Sequence, residues 1–357
     1  MAKGAAAAAA VVRRSAGDTA AEAAHRHEHR ERLPVLIVGG GIAGCSLAYA
    51  LAKRGIEALL LDQGALGSQG ASAVAAALLN PYRGRSGKPG PFDLEGLEAV
   101  RRISDDLQRE GLEAGVHRTG VLRIAADGRQ VRSWSKLPGM RRVTRVPSPY
   151  RAPHGAFLVE EGGWVEPARL VAALVASARE KGARFIENVR VLRVESVGGE
   201  WQAHSAGGAR FSAGALVLCL GAGRVAGVQL PHVEFIAGDQ VTLVSETDLP
   251  YPIAGSVYLT AQRGRVFVGG NHRSPGTDDP QAPQLLRSAA ARMVPALAES
   301  AVERVWTGVR AKRSDNVPVM EELRPGLWYL GAFGGRGFLT APLLAERLAE
   351  RLKGGGA

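Results

Sequence analysis

Residues 33–62, LPVLIVGGGIAGCSLAYALAKRGIEALLLD, contain the pattern from which we predict the fold. The apolar run at residues 33–38 is typical of a buried parallel strand, and residues 45–54 are predicted to form a helix that Gly55 ends. Residues 57–61 form a second apolar strand, which finishes at Asp62. The sequence therefore predicts a β-α-β unit at the start of an α/β fold.

The turn between the first strand and the helix carries a glycine motif. Gly39, Gly41 and Gly44 have the G-x-G-x-x-G spacing, which permits a tight turn, a close approach to a pyrophosphate, and close packing of helix on strand. Asp62 ends the second strand, where it is placed to accept ribose hydroxyls. The motif alone also fits a glycine-rich packing turn, but its place between strand and helix favours a dinucleotide site.

Composition limits the classes of protein to consider. No apolar run approaches the roughly 18 residues of a membrane span, so we expect no membrane partner. Cys45 and Cys219 both lie in apolar runs, which predicts buried thiols, no disulfide framework and a cytoplasmic location. The formal net charge of +11 permits binding to nucleic acid, and an arginine-rich composition explains it equally well.

Residues 1–32 are alanine-rich and then charged, without an apolar period. We predict a disordered N-terminal extension there. His25, His27 and His29 alternate with charged residues and lack the rigid element that a metal site requires. No metal site is predicted.

Several segments together resemble one known family, the glycine oxidase/D-amino-acid oxidase family of FAD-dependent oxidoreductases. They are residues 35–62, the small residues 70–77 (GASAVAAA), 163–167 (GWVEP), 308–310 (GVR) and 331–342 (GAFGGRGFLTAP). The C-terminal segment is most similar to the oxidoreductase half of bifunctional tRNA methylaminomethyl-thiouridine biosynthesis proteins. At 357 residues the chain is too short to hold a methyltransferase half as well, and residues 73–82 lack the polar residues of that branch.

The resemblance implies a mixed α/β (α+β) fold, with a Rossmann-type FAD-binding domain and an interleaved antiparallel-sheet substrate domain. We predict the FAD-binding domain at residues 33–80, 151–225 and 305–357, and the substrate domain at residues 81–150 and 226–304. Residues 233–270 alternate as antiparallel strands do.

The resemblance also implies contacts to FAD, which we assign by position in this chain. The predicted contacts to the pyrophosphate come from the first glycine turn, at Gly39, Gly41, Ile42, Ala43 and Gly44, and those to the ribose from Asp62 and Gln63. Ala71, Ser72, Ala75, Ala76 and Ala77 are predicted to line the flavin, and the backbone of Val191 to contact the adenine side. A second glycine turn near the ring system is predicted at Gly334, Gly335, Arg336, Gly337, Phe338 and Leu339.

Oxidation of an amine by a flavin requires orientation of the substrate more than acid–base groups, and a substrate carboxylate calls for an arginine. By its match to the family, Arg310 is the first candidate and Arg336 the second, because Gly335 stands where glycine oxidase carries an arginine. Tyr258 is predicted either to close the pocket or to belong to the core.

The predicted reaction is oxidation of a C–N bond in a glycine-like secondary amine, such as the carboxymethylaminomethyl group of tRNA wobble uridine. The alternative substrates are free glycine, sarcosine or D-amino acids. A tRNA would need a basic rim around the pocket, for which Arg83, Arg85, Lys88, Arg141, Arg142, Arg145 and Arg151 are candidates. A third hypothesis is a non-catalytic RNA-binding protein with a vestigial dinucleotide fold.

Overall fold

The computed structural model describes residues 33–354. The helices are α1 (Ile42–Ala52), α2 (Asp93–Arg109), α3 (Gly128–Trp134), α4 (Pro167–Glu180), α5 (Ala282–Met293) and α6 (Gly337–Gly354). The strands are β1 (Leu33–Val38), β2 (Ala58–Leu61), β3 (Ala77–Leu79), β4 (Val116–His117), β5 (Val121–Ile124), β6 (Arg141–Val143), β7 (Ala156–Val159), β8 (Gly163–Val165), β9 (Arg184–Ile186), β10 (Val191–Val197), β11 (Glu200–Ser205), β12 (Arg210–Leu218), β13 (Glu234–Val244), β14 (Ile253–Ala254), β15 (Tyr258–Gln262), β16 (Arg265–Gly269), β17 (Val302–Lys312), β18 (Val319–Arg324) and β19 (Leu327–Gly331).

The predicted β-α-β unit forms the centre of an eight-stranded sheet. Its parallel strands follow the order β9-β2-β1-β12-β19, and β10, β11 and β18 extend it with antiparallel pairing. One face of this sheet packs against α1, α2, α4 and α6 in a single apolar cluster. Since strands buried between layers must be apolar throughout, β2 (ALLL) is fully buried, as the sequence indicated.

A second eight-stranded sheet has the order β17-β13-β16-β15-β14-β5-β7-β6 and is antiparallel except where β14 runs parallel to β5. Helix α5 covers it through Leu286, Ala290 and Met293. A small three-stranded sheet, β3-β8-β4, also forms part of the fold. The predicted mixed α/β architecture, with antiparallel strands between parts of the parallel unit, is confirmed.

Strand pairing crosses the predicted domain boundaries. The boundary at residue 305 falls inside β17, which pairs along its length with β13 of the second sheet. Strand β7, predicted within the FAD-binding domain, pairs with β5 of the second sheet. Helix α2, predicted within the substrate domain, packs against α6 in the apolar cluster that covers the first sheet. A two-domain division with the predicted limits therefore stays a prediction.

One helix was not foreseen. Helix α3 lies between β5 and β6, and it begins where the Asp127 side chain accepts a hydrogen bond of 2.8 Å from the Gln130 N–H. The terminal helix, α6, begins at Gly337 within the second glycine motif.

Other predictions concern cysteines, membranes and the N-terminus. Cys45 and Cys219 are buried free thiols, as predicted, and burial raises the pKa of both. None of the helices between residues 33 and 354 is long and apolar enough to cross a membrane. The predicted disorder of residues 1–32, with the histidines there, lies outside the described residues.

The hydroxyl of Tyr49 provides a test of the core packing on α1. It is buried and has no hydrogen-bond partner among residues 33–354. Because an unpaired buried hydroxyl costs free energy, Tyr49→Phe should raise the free energy of unfolding by about 1 kcal/mol. Urea titration measures this.

Tyr150→Phe is the matched control. The Tyr150 hydroxyl donates to the Tyr251 carbonyl at 2.6 Å and accepts from the Tyr251 N–H at 2.7 Å, so its loss should destabilise the protein. Equal effects of the two substitutions would contradict this account of the core.

Candidate active site

A cavity of about 830 Å³ extends from the turn after β1 to the turn after β19 and is also lined by residues of the second sheet. The predicted site residues that line it are Gly39, Gly41, Ile42, Ala43, Asp62, Gln63, Ala71, Ser72, Ala76, Ala77, Tyr258, Arg310, Gly334, Gly335, Gly337, Phe338 and Leu339. The structure thus gathers residues from the two ends of the described chain.

The first glycine turn brings strand, helix and cavity together. Gly39 has a φ of +110°, and a Cβ there would overlap the carbonyl oxygen of Cys219 at the end of β12. A Cβ on Gly44 would overlap the carbonyl oxygen of Gly39, so α1 can approach β1 because residue 44 is glycine. Gly44 is therefore a packing residue and does not line the cavity.

The N-terminus of α1 opens onto the cavity. Gly41 is the N-cap and has no side chain to bond the helix end, Ser72 Oγ accepts from the Ile42 N–H, and the first turn has no acidic residue. The partial positive charge of the helix end is therefore available to an anion. This geometry fits the pyrophosphate of a dinucleotide.

Asp62 is held in place at the end of β2. Its Oδ2 accepts a hydrogen bond of 2.6 Å from the Gly40 N–H, and its Oδ1 accepts one of 2.9 Å from the Gly64 N–H. The carboxylate is thereby fixed beside the first glycine turn, where the hydroxyls of a ribose attached to the pyrophosphate would lie. Val191, predicted near the adenine, lies in β10 and does not line the cavity.

The small residues 70–77 pass along the cavity wall. Ser72 Oγ accepts a hydrogen bond of 3.0 Å from the Ile42 N–H, and Gln240 Oε1 accepts one of 3.0 Å from the Ala75 N–H. Gln240 Nε2 donates to the Ala76 carbonyl at 2.9 Å. Gln240 therefore holds this stretch through both the oxygen and the nitrogen of its side-chain amide. Sequence reasoning missed this positioning residue, although a glutamine inside an apolar strand could have indicated it.

The second glycine turn also lines the cavity, beside the first turn of α1. Ala332 and Gly334 both adopt positive φ angles, which turns the chain sharply between β19 and α6. Gly337, Phe338 and Leu339, the first residues of α6, line the cavity. A second helix N-terminus therefore faces the same space as that of α1.

Arg310 reaches the cavity from β17. A Cβ on Gly238 of β13 would overlap Arg310 Nη2, so the glycine leaves room for the guanidinium. Arg310 donates a long hydrogen bond of 3.4 Å to the Asn271 carbonyl and has no ion-pair partner among residues 33–354. Burial lowers the pKa of Arg310.

Tyr258 lines the cavity beside Arg310. Its hydroxyl accepts a hydrogen bond of 3.2 Å from Gln240 Nε2, and burial raises the pKa of the phenol. Of the two predicted roles for Tyr258, its position is that of a wall residue rather than a residue of the apolar core.

Arg336, the second predicted cation, does not reach the cavity. It is buried, and its Nη1 donates to Asp93 Oδ1 at 2.9 Å, so a carboxylate of the protein already neutralises its charge. Arg83, predicted on the rim, instead lies in the cavity wall, and Arg85 lines the cavity as an exposed residue. The remaining rim candidates are also exposed, namely Lys88, Arg141, Arg142, Arg145 and Arg151.

A polar network around Asp239 holds in place Asn271, whose carbonyl accepts the hydrogen bond from Arg310. Asp239, buried on β13, accepts hydrogen bonds from Asn271 Nδ2 at 2.6 Å, Thr307 Oγ1 at 2.6 Å and Arg273 Nη2 at 2.9 Å. Burial acts to raise the pKa of Asp239, but the hydrogen bonds outweigh it, and the pKa is lowered. The network thus holds Asn271, whose carbonyl contacts Arg310.

No cluster of three or more potential metal ligands occurs in the part of the chain that the structure describes. The cavity offers the N-termini of two helices, a fixed carboxylate, a wall of small residues and the guanidinium of Arg310. These residues fit a dinucleotide cofactor, with room near Arg310 for a small anionic substrate.

Residues 34–351 match the sequence profile of a family described as DAO, FAD dependent oxidoreductase. The chain is 35% identical, over 90% of its length, to a tRNA 5-methylaminomethyl-2-thiouridine biosynthesis bifunctional protein from Maricaulis maris, of which it covers 52%. It is 26% identical to a glycine oxidase from Geobacillus kaustophilus, with 89% of this chain and 92% of that protein covered. The chain spans about half the length of the bifunctional relatives to which it is similar.

The fold is similar to that of solved structures as well. The crystal structure of glycine oxidase from Geobacillus kaustophilus superposes with a TM-score of 0.79 at 23% identity, covering 90% of this chain and 95% of that one.

The Asp239 network predicts a pH-dependent stability. Because the folded pKa of Asp239 is lowered, its contribution is present above the ordinary carboxylate pKa of about 3.9 and is lost as pH falls through the folded value. Asp239→Asn should cost about 2–3 kcal/mol of unfolding free energy at pH 7, and the deficit relative to wild type should shrink as the pH falls below the ordinary carboxylate pKa of about 3.9. Denaturant unfolding across this range measures it.

Asp315→Asn is the control for this substitution, since Asp315 pairs with Arg313 on the exposed surface. It should change stability by less than about 1 kcal/mol. A deficit for Asp239→Asn that stays constant with pH would show that the carboxylate charge is not what stabilises the network.

Proposed function

The chain belongs to the DAO family of FAD-dependent oxidoreductases, as its sequence predicted, and we propose that it oxidises the carbon between an amine nitrogen and a carboxylate. The observation that carries this proposal is Arg310, a cation that faces the cavity between the two glycine turns and has no acidic partner among the described residues. Its planar guanidinium can bind a carboxylate through two parallel hydrogen bonds.

The residues around the cavity divide the proposed cofactor site into two parts. The N-terminus of α1 and Asp62 would hold the ADP half of FAD, and the small residues 70–77 with the turn after β19 would enclose its ring system. Ala75 and Val191 lie outside this lining, and we leave them out of the proposed contacts. The bound flavin supplies the two-electron oxidant.

The protein's own groups position the substrate. Arg310 would fix the carboxylate, and this would place the neighbouring carbon and its hydrogen at one distance from the ring system. Tyr258 would cover that carbon and exclude water from it. The substrate loses one hydride and one proton to become an imine, and addition of water then releases glyoxylate and the free amine.

For the substrate we propose a carboxymethylaminomethyl group on a tRNA wobble uridine. The 35% identity to the Maricaulis maris protein over 90% of this chain supports this choice. The net charge of +11 and Arg85, an exposed arginine that lines the cavity, suit a polyanion, because basic side chains near phosphates dominate affinity for nucleic acid.

Free glycine or a related amino acid is the second candidate. The observation in its favour is the match to the glycine oxidase from Geobacillus kaustophilus, of which the chain covers 92% at 26% identity. Both substrates present the same carboxylate to Arg310, so the residues that bind this group do not distinguish them.

The deciding experiment is nucleoside analysis of tRNA that carries carboxymethylaminomethyl-uridine after incubation with the flavin-bound protein. Loss of that nucleoside, with formation of the aminomethyl product, is expected. A panel of glycine, sarcosine and D-amino acids, followed by flavin bleaching without air, tests the second candidate. Oxidation of an amino acid, with the modified nucleoside of the tRNA left unchanged, would replace the first proposal by the second. If no substrate bleaches the flavin, the non-catalytic hypothesis would be supported.

Arg310→Ala should lower kcat/KM by about 100- to 1,000-fold, the scale of a lost charge-assisted pair. FAD should remain bound, since Arg310 lies at the substrate end of the cavity. The flavin absorbance of the purified variant and its steady-state kinetics measure the two effects.

Arg313→Ala is the matched control, because Arg313 follows β17 and pairs with Asp315 on the exposed surface. It should leave kcat/KM within about twofold. Loss of flavin from the Arg310 variant would show that this arginine serves the cofactor.

A further inference from the structure

Arg83 is a second cation in the cavity without an acidic partner. It follows β3 and forms no hydrogen bond or ion pair with any residue between 33 and 354. The carboxylate that acts on it, that of Asp93, is already bound to Arg336 and accepts a hydrogen bond of 2.8 Å from the Gly90 N–H. The positive charge of Arg83 therefore has no counter-ion among the described residues and is available to a ligand.

Of the arginines that line the cavity, Arg83 and Arg310 approach each other beside Gly335. A Cβ on Gly335 would lie 3.0 Å from Arg83 Nη2 and 3.4 Å from Arg310 Nη1. The two nitrogens are therefore at most about 6.4 Å apart, the sum of these two distances. A carboxylate oxygen accepts from an arginine at about 2.7–2.9 Å, so one oxygen can bridge donors up to roughly 5.8 Å apart, and two oxygens reach further.

This arrangement is costly without an anion. Burial, with the nearby charges of Arg336 and Arg310, lowers the pKa of Arg83 to about 10, which leaves it protonated at neutral pH. Arg83 and Arg310 are partly buried, so their like charges repel and each loses part of its hydration without gaining a counter-ion. An anion placed between Arg83 and Arg310 would relieve both effects.

The loop that carries Arg83 is held by the second sheet and α3. Arg123 Nη2 donates to the Gly84 carbonyl at 2.8 Å, and Trp134 Nε1 donates to the Arg85 carbonyl at 3.0 Å. The Arg123 guanidinium stacks over the Trp134 ring, 4.0 Å from its centroid. Arg83 is thereby positioned before any ligand arrives, which lowers the cost of binding.

We propose that Arg83 and Arg310 together bind a single substrate carboxylate in the space that Gly335 of the second glycine turn leaves open. The inference rests on the proposed function for the identity of the anion as a carboxylate. It adds that the second cation comes from the loop after β3, in place of the arginine predicted at residue 336. The site therefore selects for a full negative charge and rejects amide or ester analogues of the substrate.

The test measures equilibrium binding of acetate and acetamide to the FAD-bound protein, followed by the change in flavin absorbance. Acetate should bind and acetamide should not. Arg83→Gln and Arg310→Gln should each raise the Kd of acetate at least about tenfold, the scale of one lost charge-assisted hydrogen bond. Arg129→Gln, which removes an exposed arginine on α3, should leave that Kd within about twofold.

A thermal measurement separates binding from structure. Without acetate, Arg83→Gln should melt at the wild-type temperature or above it, because a buried repulsion is removed. With acetate, its stabilisation should be smaller than that of wild type, and Arg83→Lys should recover part of it. A variant that melts lower without ligand and is not improved by lysine would overturn the proposal in favour of a structural role.

Two further outcomes also count against the proposal. If Arg310→Gln weakens acetate binding and Arg83→Gln does not, Arg310 acts alone. If acetate depends on Arg310 only while malonate depends on both arginines, each arginine takes its own carboxylate. Acetate binding that depends on both arginines, with tRNA and amino acids left unoxidised, would uphold this inference and sink the proposed function.

Discussion

The close approach of α1 to β1 is the constraint on which the rest of the structure depends. Any side chain at Gly44 would strike the Gly39 carbonyl, and any side chain at Gly39 would strike the Cys219 carbonyl of β12. The start of α1 and the ends of β1 and β12 can therefore lie close together, and the N-terminus of α1 faces the cavity. The cavity exists because three backbone segments meet there without side chains between them.

Glycine residues also make room for the guanidinium groups of the arginines that line the cavity. Gly238 leaves room for the guanidinium of Arg310, and Gly335 leaves room for those of Arg83 and Arg310. Arg336, one residue further on, turns away and is neutralised by Asp93. The chain thus separates the ion pair of Arg336 and Asp93 from Arg83 and Arg310, which have no acidic partner among the described residues, while Arg123 is held by the Gly84 carbonyl and the Trp134 ring. A buried charge that the fold does not satisfy is a sign of function rather than of stability.

Sequence reasoning predicted what depends on local pattern. The β-α-β unit, its glycine turn, Asp62 and the second glycine turn are all recognisable because each is contiguous in the chain. The choice between Arg83 and Arg336 was not predictable in this way. It depends on Asp93, which binds Arg336, and on Arg123 and Trp134, which hold the loop of Arg83 from 39 and 49 positions away. Gln240 was missed for the same reason, since its partners lie 165 and 164 positions earlier.

The order of the strands sets when the cofactor can be taken up. Strand β1 needs β12 as its neighbour, β12 needs β19, and the wall beyond β19 is formed by the first turn of α6. The first glycine turn and the turn after β19 are roughly 290 residues apart, and pairing over such separations is slow. The cavity is therefore complete only once β19 and α6 have taken their places. Because FAD would bind the folded chain and not the unfolded one, its supply would shift the equilibrium towards the folded state.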